Sequence, residues 1–598
     1  MSSPRSTPLS RPADTDPALV PAAPPVSDLP NLPDSAAVTA ALDAIFAPFD
    51  RGDAPGLVVG VAMDGRTLYR RGFGMASLEH GVRNTPHTRM RIGSTSKHFT
   101  CLAALLLAER GLLDLDAPVR EHLPQLPPQP VEPTLRQLMQ HTSGYRCVLD
   151  LSLLAQGLAT QPRGEELRLQ ALQPDMNFAP GTNLLYCNSG YHLLSLVIAK
   201  AAGRPFEQAM KGLIFEPLGL CDTASIPSDL DIVPGLATLH VPRPAALGGG
   251  WRRGLFPSEE VLGDGAMVST IDDLLRWLRH LRGPERRVGS PDSWAQLLTR
   301  ARLANGCEAR YALGLRRHAY RGVDVIHHTG GVVGGCSQML TVPAFGLDLA
   351  LMCNGAPAQP QMLGYAIVDA VLGDRLPEAR PAHARTERYP GLAGGRFHSR
   401  ESGHLLRFAD LEGMLGVSVM DGPPLPLIDD GAQLSVGFEG MSASPLDLPP
   451  QGLAPDPAPS ALHIVEWGNP SVCRRLPDPS DSAHGVNVID ATHPLVGRYH
   501  SPAMQASGEI DVVDGALRLR LVAGQGGNTF TVTPWDDEVF GLQSTDPYFP
   551  NHAAMHVESR DGRGVRSLLL NTVRSRQIRM HRVDADADTD LAAGALAS

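Results

Sequence analysis

The sequence of 598 residues predicts an α+β domain, an antiparallel sheet packed against helices, followed by two related all-β domains. Three observations support this. Between about residues 37 and 375, short strands give way to helices and then to strands again; beyond about residue 385 the helical signal disappears; and a Gly-Arg-aromatic-His-Ser motif recurs in that second region. Length agrees, because one core rarely serves so long a chain and about three to four domains are the norm.

Residues 1–36 hold nine prolines and no periodic apolar pattern, so they are expected to form a disordered arm. The α+β domain is expected over 37–380, the first all-β domain over 388–490, the second over 491–584, and a disordered tail over 585–598. Leu57 to Ala62 and Thr67 to Arg71 flank Asp64-Gly65, a pair suited to the positive φ angles of a type I′ turn, which predicts a hairpin. A helix rich in Leu and Ala follows over 94–110, with Gly111 where a helix C-terminus favours one. A second helix begins near Ser189 and ends before Gly203. Ile326 to His328 and Cys336 to Cys353 read as strands around a Gly-rich turn. Past residue 385, short strands punctuated by Gly, Pro and Asp suggest barrels or sandwiches. There Gly395-Arg396-Phe397-His398-Ser399 is echoed by Gly497-Arg498-Tyr499-His500-Ser501, so the two all-β domains are read as relatives.

Apolar content of 43% with 19% charged residues is ordinary for a globular protein. A net charge of −11 with no basic stripe argues against a nucleic-acid partner, since phosphate contacts need clustered cations. No run of about 18 apolar residues is present to span a membrane, and no export signal is recognisable, so a cytoplasmic protein is expected. The eight cysteines include no CxxC pair, which suggests neither a disulfide framework nor a zinc ribbon.

The central chemical signal is Ser94-Thr95-Ser96-Lys97 at a helix start. Positions i and i+3 share a helix face, so the hydroxyl and the amine can meet. Serine is a weak nucleophile until a base takes its proton, and an amine can do so once its surroundings favour the neutral form. Arginine cannot, being permanently protonated. Of 52 basic side chains only Lys97, Lys200 and Lys211 are lysines. The pair alone is weak evidence. Two further elements give it weight. In Tyr186-Cys187-Asn188, before the second helix, a tyrosine beside a lysine cation can act as base toward Ser94 and later as acid toward the leaving group, while Asn188 holds Lys97. In His328-Thr329-Gly330-Gly331, His328 is placed to orient Tyr186 and the glycines let substrate approach the backbone.

These three elements, in this order, resemble the penicillin-recognising serine hydrolases, in which SxxK, YxN and a KTG- or HTG-type box line one cleft. His141-Thr142-Ser143-Gly144, Gly263-Asp264-Gly265 and Leu112-Leu113-Asp114-Leu115-Asp116 extend the likeness over roughly residues 45–375. Within that family the chain is most similar to the D-aminopeptidase branch, which joins a β-lactamase-like catalytic domain to two β-barrel domains. The resemblance implies that fold here, with Ser94 as nucleophile, Lys97 and Tyr186 as proton carriers, Asn188 as a positioning amide and His328 as their partner. The backbone N–H groups of Ser94 and Gly331 would form an oxyanion hole, worth about 3–4 kcal/mol per donor. No metal or cofactor is implied. The implied activity is that of a peptidase or amidase working through an acyl-enzyme on D-amino-acid substrates. A D,D-carboxypeptidase or β-lactamase-like esterase on the same site, and a catalytically idle scaffold, are the alternatives. The expected partner is a peptide or small-molecule substrate, and a homodimer is compatible with all of this.

In the D-aminopeptidase branch, a carboxylate in a loop of the last domain and an asparagine upstream of the HTG box help to recognise the substrate's α-amine. The matching positions here hold Asn528, in Gly524-Gln525-Gly526-Gly527-Asn528, and Arg316. The Gly-rich loop is therefore expected to enter the cleft. Arg316, following Gly314-Leu315, resembles the arginine that in soluble D,D-carboxypeptidases with an HTG box follows a Gly-Leu pair and holds the substrate's terminal carboxylate, and the resemblance implies that role here, one suited to its two parallel donors.

Overall fold

The computed structural model describes residues 35–583 apart from 284–285, 356–357, 381, 430–432, 437–445, 449–458, 478–488 and 563. The arm expected over 1–36 lies outside the described residues except for Ser35 and Ala36, which open a helix; the tail expected over 585–598 lies wholly outside them.

The central antiparallel sheet is built from β1 (Leu57–Met63), β2 (Arg66–Phe73), β3 (Arg316–Tyr320), β4 (Val323–Val332), β5 (Gly335–Val342) and β6 (Leu347–Cys353). Their order is β3-β4-β5-β6-β1-β2, so the first hairpin adds to the last strand. That hairpin turns at Asp64 and Gly65 with φ of 48° and 78°, as a type I′ turn requires. Helices α1 (Ser35–Phe46), α2 (Lys97–Glu109), α4 (Asn188–Ala202), α5 (Ile271–Arg282) and α6 (Pro360–Leu372) lie over the sheet, whereas α3 (Val148–Gln156) packs on the last all-β domain through Leu151, Leu154 and Ala155. Successive strand residues point to opposite faces, and here both faces are apolar, so both must be covered. Val58, Ala350 and Met352 join the core under α2, α4 and α5, whereas Leu57, Val59, Leu349 and Leu351 join the core under α1 and α6.

The helix expected over 94–110 is divided. Gly93–Ser96 is a tight 3-10 turn and the α-helix starts at Lys97. The turn brings Ser94 against β4 before the helix carries the chain away. Gly93, at φ 51°, makes this possible: a Cβ there would lie 2.8 Å from the Gly331 nitrogen.

Each recurrence of the Gly-Arg-aromatic-His-Ser motif opens a barrel. Arg396–His398 begins eight strands ending with Asn469–Arg475, each paired with the next and closed by pairing of first with last; Ala382–His383 adds to one of them. Gly497–Ser501 begins the second closed barrel, which ends with Ile578–Arg582. Phe397 and Tyr499, equivalent in the motif, both point into their barrel cores. The recurrence is therefore architectural.

One tight turn of each barrel is clamped against the catalytic region. In the second barrel, Arg146 donates to the carbonyls of Arg576 and Gln577, Asn177 bonds both Arg574 O and Arg576 N, and Thr572 bonds Asp150. In the first, the turn at Trp467-Gly468 packs on residues 308–309, and Asn469 bonds Asn305. The two turns meet through a buried ion pair, Arg576 to Glu466 at 3.2 Å, with side chains only 7% and 9% exposed. Glu466→Ala leaves a buried guanidinium without its carboxylate and is expected to cost about 3–5 kcal/mol, read as a lower urea-unfolding midpoint. The double variant Glu466→Met/Arg576→Met should recover most of that loss.

Candidate active site

A buried amine needs its polar directions satisfied, and this need explains the site's geometry. Lys97, fully buried at the start of α2, lies 3.0 Å from Ser94 Oγ, 2.8 Å from Asn188 Oδ1 and 2.5 Å from the Asp264 carbonyl. Asn188 and Asp264 can only accept from the amine at these atoms, so they hold two of its N–H bonds. The remaining direction faces Ser94 Oγ, so a proton can pass between the hydroxyl and the amine along it. The Asp264 carbonyl reaches Lys97 because Gly263 lies flush against α2 and α4: a Cβ there would fall 2.4 Å from Thr100 Oγ1 and 2.5 Å from Ser195 Oγ.

Tyr186 lines the same cleft. Its ring centroid is 4.9 Å from Lys97 Nζ, and its buried hydroxyl has no hydrogen-bond partner among the described residues. On the opposite wall, β4 approaches the 3-10 turn at bare-backbone distance; a Cβ on Gly330 would sit 1.9 Å from the Ile92 carbonyl. Ser337 Oγ, on β5 opposite Gly330, fastens the turn to the sheet by donating to Ile92 O at 2.7 Å and contacting Thr95 Oγ1 at 2.9 Å. This places the Gly331 backbone beside Ser94, where an oxyanion donor is needed.

His328 does not orient Tyr186 directly. Their ring centroids are 6.2 Å apart, and the His328 Nε2 meets the Tyr311 hydroxyl at 3.1 Å instead. Tyr311 also meets His141 Nε2 at 3.1 Å, and His141 Nδ1 accepts from the Cys187 N–H at 3.0 Å. At the other end His328 Nδ1 lies 2.6 Å from the Thr329 carbonyl, which can only accept. The directions follow: His141 Nε2–H donates to Tyr311, Tyr311 donates to His328 Nε2, and His328 Nδ1–H donates to Thr329. Burial, and then the nearby positive charges of Lys97 and Arg316, hold both histidines well below the ordinary imidazole pKa, so both rings are neutral.

The specificity residues fall out differently. Arg316 does line the cleft, 7% exposed, with its guanidinium 4.9 Å from the Trp467 ring centroid; burial lowers its pKa to about 10. Asn528 does not. The Gly524–Asn528 stretch docks on the C-terminal end of α3, where the Gln525 N–H donates to Gln156 Oε1 at 2.9 Å and Asn528 Nδ2 donates to the Leu153 carbonyl at 3.3 Å. The Leu153 carbonyl also accepts from the Gly157 N–H at 3.2 Å, so Asn528 adds a second donor to it, while Leu151, Leu154 and Ala155 of α3 pack into the barrel's core. The residue of the second barrel that enters the cleft is Arg574, and the first barrel contributes Trp467. Neither stood out in the sequence. Trp467-Gly468 carried a faint turn signal, Tyr311 lay close to Gly314-Leu315-Arg316, and Arg574 carried none.

The fold and the serine-lysine cleft together define a serine hydrolase, and a family model described as Beta-lactamase matches residues 42–372, so the chain belongs to that family. It is similar to the D-aminopeptidase of Cereibacter sphaeroides strain KD131, 30% identical over 80% of this chain and 85% of the relative. A D-aminopeptidase from another strain of that organism is 29% identical over 92% of this chain and 99% of its own length. The octameric penicillin-binding protein homologue from Pyrococcus abyssi aligns over 92% of this chain and 100% of its own, with 17% identity and a TM-score of 0.49.

Neutral His141 and His328 make stability depend on pH in a definite direction. Their folded pKa values are depressed, so their contribution is complete above about pH 6.5 and is lost as pH falls, when the unfolded chain takes up protons that the folded site refuses. The unfolding midpoint should be lower at pH 5 than at pH 7, the unfolding free energy falling below about pH 6.5 toward a limiting slope of about 1.4 kcal/mol per pH unit for each such histidine. His328→Gln should make that fall shallower.

Proposed function

We propose that the chain hydrolyses amides or peptides of D-amino acids through an acyl-enzyme on Ser94. The observation that carries this reading is the three-way hold on Lys97, which aims the amine at the serine hydroxyl. Ser94 Oγ attacks the substrate carbonyl as its proton passes to Lys97 or Tyr186. The backbone N–H groups of Ser94 and Gly331 receive the developing oxyanion. Tyr186, whose hydroxyl has no other partner in the described residues, gives a proton to the departing amine and is left as the base that takes a proton from the water attacking the acyl-enzyme, while Ser94 Oγ, as it is released, takes back a proton from Lys97 or Tyr186. Asn188 holds Lys97 and faces the substrate. His328 acts one step removed, through Tyr311. The D-configuration is supported by the D-aminopeptidase relatives.

Among the described residues no helix is long and apolar enough to cross a membrane. We place the protein in the cytoplasm because all eight cysteines are free, as a reducing compartment keeps them.

Ser94→Ala and Lys97→Arg should each fold and lower kcat by about 10⁴-fold or more, one lacking the nucleophile and the other carrying a fixed cation. A fluorophosphonate should add one adduct at Ser94 by intact mass, absent from Ser94→Ala. D-Alanyl p-nitroanilide should be cleaved in preference to its L isomer. Turnover surviving in Ser94→Ala defeats the mechanism, and equal rates on the two isomers defeat the stereochemical assignment.

A further inference from the structure

The residues lining the cleft include two guanidinium groups, Arg316 and Arg574, and a single carboxylate, Asp264. Asp264 is 5% exposed, and its Oδ1 accepts from the Leu262 N–H at 3.0 Å, so it belongs to its own turn and is not presented to a ligand. Among the described lining residues, a free substrate amine would find no acid. Arg574 is the more informative arginine. Its backbone is fixed on both sides, through the Asn177 amide to its carbonyl and through its own N–H to Thr572. Its half-buried side chain makes no hydrogen bond or ion pair among the described residues and rests over the Tyr186 ring, 5.1 Å from the centroid. A guanidinium held beside the reacting centre with its donors unused is suited to receive a planar anion through two parallel hydrogen bonds.

We propose that Arg574, supplied by the second barrel, is a specificity-determining residue that binds a carboxylate of the substrate close to the scissile bond. The preferred substrates are then D-acyl amides or peptides bearing an anionic group, not neutral amides or substrates read by a free amine. Arg316 adds to the same positive field from the sheet, and the Trp467 ring walls the cleft beside it. This inference rests on the D-specific acyl-enzyme reading, whose own failure shows separately in the Ser94 labelling and isomer tests.

The test compares N-acetyl-D-alanyl-glycine with N-acetyl-D-alanyl-glycinamide, which share the scissile amide and differ in charge. For the full-length protein, kcat/KM at that bond should favour the carboxylate, and Arg574→Gln should lower the carboxylate value about 10- to 100-fold while changing the amide value little. Calorimetry on Ser94→Ala, with and without Arg574→Gln, asks the same of binding without turnover. Arg574→Lys should keep part of the preference, and Arg574→Glu should invert it. A ratio of the two substrates that Arg574→Gln leaves unchanged overturns the proposal, as does an equal loss on both, which would make Arg574 a support for Tyr186. Thermal midpoints of the variants separate misfolding from lost recognition. Where Arg574→Gln fails to fold, the same substrate ratio measured in Arg574→Lys and Arg574→Glu decides the matter.

Discussion

The cleft depends on one buried amine. Lys97 sits where no water reaches it, so each polar direction at Nζ must meet a protein group, and it finds three on three separate segments. That requirement dictates local structure well beyond the lysine. Asn188 must be the first residue of its helix, where its side chain still points toward the neighbouring helix. The 263–265 turn must offer a carbonyl inward, which a side chain at Gly263 would prevent by striking Thr100 and Ser195. Ser94 must precede the α-helix proper, on a tight turn that faces it back to the amine. Removing any one of these would leave a buried amine proton or lone pair unmet, which costs more than the bond itself is worth.

A second constraint joins the tyrosine segment to the sheet. The chain of bonds from Cys187 through His141, Tyr311 and His328 to Thr329 begins at a backbone N–H and ends at a backbone carbonyl. Neither terminus can take or give a proton, so this is not a proton wire. Its function is mechanical: each ring is locked in one tautomer, and the segment that carries Tyr186 is held at a set distance from the strand that carries Gly331. Because both histidines stay neutral, the link adds no positive charge behind Lys97.

What could be read in the sequence was local. Ser94 and Lys97 are three residues apart, the Asp64-Gly65 turn carries its own φ preference, and the barrel motif repeats at one offset; each signal is contained in a few adjacent residues. What could not be read was delivered from far away in the chain. Tyr311 serves His141 and His328, Trp467 arrives from the first barrel, and Arg574 arrives from the second. The glycines of 524–528 were a fair sign of backbone freedom but no guide to direction. The apolar face of α3, packed on the barrel through Leu151, Leu154 and Ala155, and the bonds to Gln156 and Leu153 hold that hairpin, and the cleft is left to another turn of the same barrel.

The two barrels are consequently part of the active site, and the way they reach it is specific. Trp467 follows Glu466 directly, and Arg574 lies two residues before Arg576. The buried pair between Glu466 and Arg576 thus ties together the two turns whose neighbouring residues enter the cleft. A buried ion pair gives little net stability against an apolar pair of similar size. It does impose geometry, because two charges out of water tolerate only arrangements that keep them together. Apolar side chains would let one barrel slide on the other at small cost. With the pair in place, and with Arg146, Asn177 and Asp150 gripping the same turn from the catalytic region, the positions of Trp467 and Arg574 relative to Ser94 are set jointly. The same folding event that assembles the three units therefore also completes the pocket.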